Sequence, residues 1–159
     1  MGVGMRGITK MEAAQQDAIY APHTEEMANY YGLVVQFLDS QPTSFERVFD
    51  VEDLIERVVS GRLLPWFYMH KGEIIGMALI SVHEYSDKYK SLRIELLTCK
   101  HFFKMTSMID VLENRAAAAG FHTIEALTHP AIAKYATRKK GFVSPMVYIE
   151  KTLTPVRMN

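Results

Sequence analysis

The sequence predicts an α+β domain built on a mixed sheet, mostly antiparallel with one parallel pair and flanked by helices. Three observations predict it. From Trp66 to Leu153 the order reads strand, tight turn, strand, strand, helix, strand, helix, strand. Lys71-Gly72 sits between two apolar runs, which is a two-residue hairpin and makes its strands antiparallel. Helical spacing of Met105, Met108, Ile109, Leu112 and Ala116 separates strands at 92–97 and 123–127. Such a crossover is what a parallel pair requires.

The elements follow in order. Residues 1–16 show no period and read as a loosely ordered start. Ala18-Ile19-Tyr20 is a short strand before Pro22. Thr24 caps a helix, with Glu25 and Glu26 at its positive end. Met27, Tyr30, Tyr31, Val34, Phe37 and Leu38 share its apolar face. After a turn-like break at 41–44, Asp50 caps a second helix with Leu54, Ile55 and Val58 on one side and Gly61 at its end. Trp66-Phe67-Tyr68 is the first arm of the hairpin and residues 73–85 are the second. The polar stretch 86–90 is a loop. Leu92, Ile94 and Leu96 alternate with Arg93 and Glu95, the period of a strand buried on one face. Thr128 caps a last helix before Lys140-Gly141-Phe142, and residues 142–153 close the chain as a strand.

Composition bounds the function. A chain of 159 residues with 48% hydrophobic and 23% charged side chains reads as one soluble domain over 1–159. Eighteen basic and eighteen acidic residues cancel, so no global field draws nucleic acid or an anionic membrane. Cys99 is the single cysteine and forms no internal disulfide, which suits a reducing cytoplasm. No apolar run approaches the length of a membrane span, and the first residues lack the apolar core of a signal peptide. Six scattered histidines with no His-x-x-x-His and no cysteine partner predict no metal site.

Three pieces carry a family resemblance. His70-Lys71-Gly72-Glu73-Ile74-Ile75-Gly76 resembles a charged turn leading into "ivG". Residues 91–120 match a strand–helix cofactor motif by position and length. Lys139-Lys140-Gly141-Phe142 is similar to a closing "GF". In this order they resemble the GNAT superfamily of N-acetyltransferases, with the two earlier helices as its N-terminal arm. The resemblance implies a parallel pair that splays apart, acetyl-CoA entering the gap, and acyl transfer to an amine. It places the cofactor region at Leu96, Leu97, Lys100, Phe103, Lys104 and Met105. It makes Glu95 the candidate general base, with Glu84 and His83 behind it. The family's acid tyrosine falls at Thr137 here, and Tyr135, two residues earlier, is the candidate in its place.

The chain departs from the family pattern at the phosphate loop. Lys100-His101-Phe102-Phe103-Lys104-Met105 holds no glycine, and Phe103 and Met105 stand where small residues let phosphate reach the backbone. They are expected to be core residues at the helix start. The leading expectation is therefore a GNAT-like protein, similar to bacteriophage-encoded ones, with a binding or virion-associated role in the host cytoplasm or virion. Its alternative is an active N-acyltransferase with an atypical loop. The partner is then a protein or an amine substrate, with homo-oligomerisation left open.

Overall fold

The computed structural model describes residues 16–40, 50–86, 88–126, 134, 137–143, 151 and 153. The chain forms two compact units, Met1–Ala126 and Leu127–Asn159. The first unit holds a five-stranded sheet in the order β1 (Ala18–Tyr20), β2 (Leu64–His70), β3 (Glu73–Ser86), β4 (Tyr89–Cys99) and β5 (Thr123–Ala126). The first three pairings are antiparallel. The β4–β5 pairing is parallel and runs only from Ser91↔Thr123 to Ile94↔Ala126. Past Ile94, the β5-side edge of β4 has no strand partner among the described residues.

The β2–β3 hairpin turns at Lys71 and Gly72, with φ of 50° and 77°. Two successive positive φ values make a turn whose twist matches the flanking strands, and glycine adopts one of them without steric cost. Helices α1 (Tyr31–Asp39), α2 (Val51–Val59) and α3 (Met105–Ala118) cover the sheet. Val34, Phe37, Leu38, Leu54 and Val58 pack on Phe67, Met77, Leu79 and Leu96 from one side. Met108, Leu112 and Ala116 of α3 pack on Tyr68, Ala78, Ile80, Leu92 and Ile94 from the other. No described helix is long and apolar enough to cross a membrane.

Asp50 caps α2 as expected, its Oδ1 accepting the Glu52 N–H at 3.0 Å. Thr24 does not cap the first helix. The cap position is His23, whose N–H donates to the Glu26 carboxylate at 2.9 Å, and Thr24–Tyr30 forms a 3₁₀ turn before α1. The sequence favoured Thr24 for its hydroxyl, but the reach of Glu26 back to the chain decided the position. The 86–90 stretch is shorter as a loop than expected, because Ser86 already opposes Tyr89. Polar residues suit the solvated ends of such strands.

The main correction lies within β4. Leu79 opposes Leu96 while Ile80 opposes Ile94, so Glu95 is the extra residue of a bulge. A bulge reverses the side-chain alternation beyond it. Leu92 and Ile94 therefore face α3, whereas Leu96 faces α1 and α2. The simple period had put all three on one face.

In the second unit, Thr137–Lys139 is helical and Gly141 has φ 73°. Phe142 and Val143 lie outside any strand, so the expected closing strand does not begin there. The loose start at 1–15, the Thr128 cap and residues 144–150 of the closing strand lie outside the described residues.

Candidate functional site

Along one face of β3 the residues change character. Met77 and Leu79 lie in the core under α1 and α2, while Ser81, His83 and Tyr85 continue the same stripe into partial and then full exposure. The bulge brings Glu95 of β4 onto this stripe. The Ser81 hydroxyl donates to Glu95 Oε1 at 2.8 Å, and Ser81 Oγ lies 3.0 Å from His83 Nε2. Glu95, the candidate base, is half-buried and held by a neighbour.

A second carboxylate sits beside it. Arg93 and Glu125 are register partners across the parallel pair, with Arg93 Nε donating to Glu125 Oε1 at 2.7 Å. The Tyr85 hydroxyl lies 2.9 Å from both Glu125 oxygens and shares its one hydrogen between them. Partial burial pushes the Glu125 carboxyl up. The Arg93 and Tyr85 hydrogen bonds, with the charges of Arg93 and His83, outweigh that and hold it below its ordinary value. Glu125 is thus neutralised by its own arginine, whereas Glu95 faces no cation among its described partners.

The α3 side carries a different cluster. Asp17 accepts from the Tyr68 hydroxyl and pairs with His70 Nδ1. Burial and the Asp17 carboxylate both push the Tyr68 phenol up. Burial also raises Cys99, and the His101 backbone N–H and the Lys104 charge do not reverse it. A raised thiol is a poor nucleophile, so Cys99 reads as structural. No three or more His, Cys, Asp or Glu side chains group to hold a metal ion among the described residues.

No protein-family model matches the chain. No curated protein matches it at a significant level. Solved structures do. A transcriptional regulator from Bacillus halodurans C-125 superposes with TM-score 0.58 at 15% identity, over 87% of this chain and 100% of that one. An aminoglycoside acetyltransferase from an uncultured soil metagenomic sample, in complex with sisomicin, gives 0.55 at 14% identity over 87% and 97%. A predicted acetyltransferase with acetyl-CoA from Clostridium acetobutylicum gives 0.52 at 15% identity over 86% and 96%.

The chain has the GNAT fold.

On this GNAT fold, Glu95 lies one residue beyond Ile94, the last β4 residue paired with β5 among the described residues. Leu96 is buried under α1 and α2, and Leu97 is half-buried on the α3 side. Phe103 is not a core residue. It is 75% exposed, with its ring 5.5 Å from that of His101. Met105 is half-buried rather than core. A 3₁₀ turn over Phe102–Lys104 precedes α3, and it turns Phe103 outward where continuous helical spacing had suggested an inward position. Lys100 and Lys104 do not converge. Lys100 Nζ lies 4.0 Å from Glu73 and 5.9 Å from the Phe37 ring, whereas the Lys104 charge acts on Asp17 and Cys99. Tyr135 lies outside the described residues. Thr137 is exposed, its hydroxyl donating to the Lys134 carbonyl at 3.1 Å. Glu84, on the opposite parity of β3, is exposed.

Ser81, Arg93, Tyr85 and Glu125 escaped sequence reading. Only Arg93 carried a signal, as a charge on an alternating strand. The others became neighbours through sheet register.

Proposed function

We propose that this protein is an acyl-CoA-dependent N-acyltransferase acting on a primary amine, with Glu95 as general base. The observation that carries the reading is the Glu95 carboxylate. It sits on a bulge beyond the described parallel pair, with Oε1 engaged by Ser81 and Oε2 without a partner among the described residues. An amine in neutral water is an ammonium ion and cannot attack a carbonyl. Glu95 Oε2 attracts that cation, accepts its proton and leaves the nitrogen lone pair free. Arg93 satisfies Glu125, so the attraction falls on Glu95.

The chain's own features fit acetyl-CoA. The first turn of α3 carries no acidic side chain to repel an anion. Phe103, turned outward, does not fill that approach with a buried ring. When bound, acetyl-CoA supplies the acetyl thioester.

The glycine-free loop favours a second reading, a bacteriophage-type binding protein that has left this chemistry. Calorimetric titration of acetyl-CoA into protein freed of copurified CoA separates the two. Saturable binding in the micromolar range, with CoA release on adding a panel of primary amines, supports the enzyme. No binding at millimolar acetyl-CoA leaves the second reading.

A further inference from the structure

Resting on the reading of Glu95 as base, we infer that Ser81 and His83 are a positioning pair that fixes which carboxylate oxygen receives the substrate proton. Valence decides which group donates. A serine hydroxyl has one hydrogen. Ser81 gives it to Glu95 Oε1 at 2.8 Å. The 3.0 Å contact between Ser81 Oγ and His83 Nε2 is then a hydrogen bond only if Nε2 carries a hydrogen and donates. His83 thereby orients the hydroxyl, and the hydroxyl holds Oε1. Oε2 has no hydrogen-bond partner among the described residues, and the Ser81 bond holds the carboxylate through Oε1. Ser81 and His83 stand two residues apart on β3, so the strand itself sets their spacing.

The surroundings favour this assignment of hydrogens. Among the described residues, four other groups face the pair: Glu95 and Arg93 from β4, Glu125 from β5, and Tyr85 from β3 itself. Arg93 and Tyr85 both direct hydrogens at Glu125. Ser81 is therefore the hydroxyl that serves Glu95. The sequence offered His83 as a reserve base. The geometry assigns it to position another group, since a carbon-bound ring aimed at Ser81 through Nε2 does not present that nitrogen to a substrate.

Two measurements test the pair. Long-range ¹H–¹⁵N correlation spectra of the His83 ring need no substrate. The neutral ring is expected to carry its hydrogen on Nε2 in the parent, where Ser81 Oγ accepts it; in Ser81→Ala that acceptor is gone, and the Nε2 hydrogen should shift and exchange faster with solvent. A parent ring protonated on Nδ1, or an Nε2 hydrogen whose shift and exchange are indifferent to Ser81→Ala, overturns the proposal. The second measurement is turnover with acetyl-CoA and sisomicin. Ser81→Ala and His83→Ala should each lower kcat by roughly tenfold, the scale of one hydrogen bond to a charged group, with acetyl-CoA affinity unchanged. Ser81→Thr keeps the hydroxyl and His83→Gln keeps an N–H donor, so both should restore most of the rate. Loss of turnover in Glu95→Gln with full turnover in Ser81→Ala overturns the pair alone. Full turnover in Glu95→Gln overturns the base reading and the pair with it.

Discussion

Replacing Gly76 with alanine should destabilise the protein by about 1–2 kcal/mol. Gly76 lies on β3 opposite Tyr68 and Cys99, on the side covered by α3. A Cβ there would stand 2.8 Å from Met108 Sδ, 3.3 Å from Met108 Cε and 3.0 Å from the Thr98 carbonyl oxygen. The carbonyl belongs to the β3–β4 ladder and cannot yield. Met108 is flexible in isolation but fully buried here, among Tyr68, Ile75 and Leu112, so its thioether has little room to retreat. Overpacking of this kind costs about 1–3 kcal/mol. The backbone at Gly76 is not in the left-handed region, so alanine also recovers roughly 0.4–1 kcal/mol by restricting the unfolded chain. At mid-range the two effects differ by about 1–2 kcal/mol, and for a chain of this size that loss lowers Tm by about 2–8 °C. Thermal melting followed by circular dichroism reads it. A Gly76→Ala protein that melts at or above the parent would refute the reasoning. The double variant with Met108→Ala localises the cause. If the thioether is the obstacle, the two losses sum to more than the double variant shows.

Further predictions follow from the same geometry. Asp17 is partly buried, which raises its pKa, but hydrogen bonds from Tyr68 and His70 and the charges of His70 and Lys104 bring it below the ordinary value. A depressed carboxyl contributes stability above its unfolded pKa of about 3.9 and loses it as pH falls through the folded value. Asp17→Asn should therefore cost about 1 kcal/mol at pH 7, discounted for its partial exposure, with the gap to the parent closing below about pH 4. An equal gap at pH 3 and pH 7 in urea melts would contradict this. Phe103→Ala should change stability by no more than about 0.5 kcal/mol, because the ring is solvated; a loss near 3 kcal/mol would show it buried. Glu95→Gln should lower kcat by about 10²–10⁴ with the calorimetric acetyl-CoA affinity intact, and a parallel loss of affinity would reassign Glu95 to binding.

Much of the architecture was legible because local signals agreed with the final packing. Lys71-Gly72 specified its hairpin, Asp50 its helix start, and the Met105–Ala116 spacing its crossover helix. The parallel pair followed from connectivity. Periodicity also sorted Met27, Val34, Phe37 and Leu38 correctly into the core. Glu95 was singled out as the base candidate, though by resemblance rather than by any local pattern.

What the sequence determined by itself was the order of elements and, through their apolar faces, the layers they must form, since hairpin turns, caps and 3.6-residue spacing act between neighbours along the chain. Tertiary structure decided three things. The β4 bulge reversed the alternation after Ile94 and set Glu95 beside Ser81. The turn before α3 put Phe103 in solvent rather than in the core. Strand register joined Glu125 to Arg93 and Tyr85, residues 32 and 40 positions away. Each depends on how one strand or turn is offset against another by a single residue. That offset is chosen by the summed packing and hydrogen bonding of the whole sheet, so it leaves no mark on any short stretch of sequence.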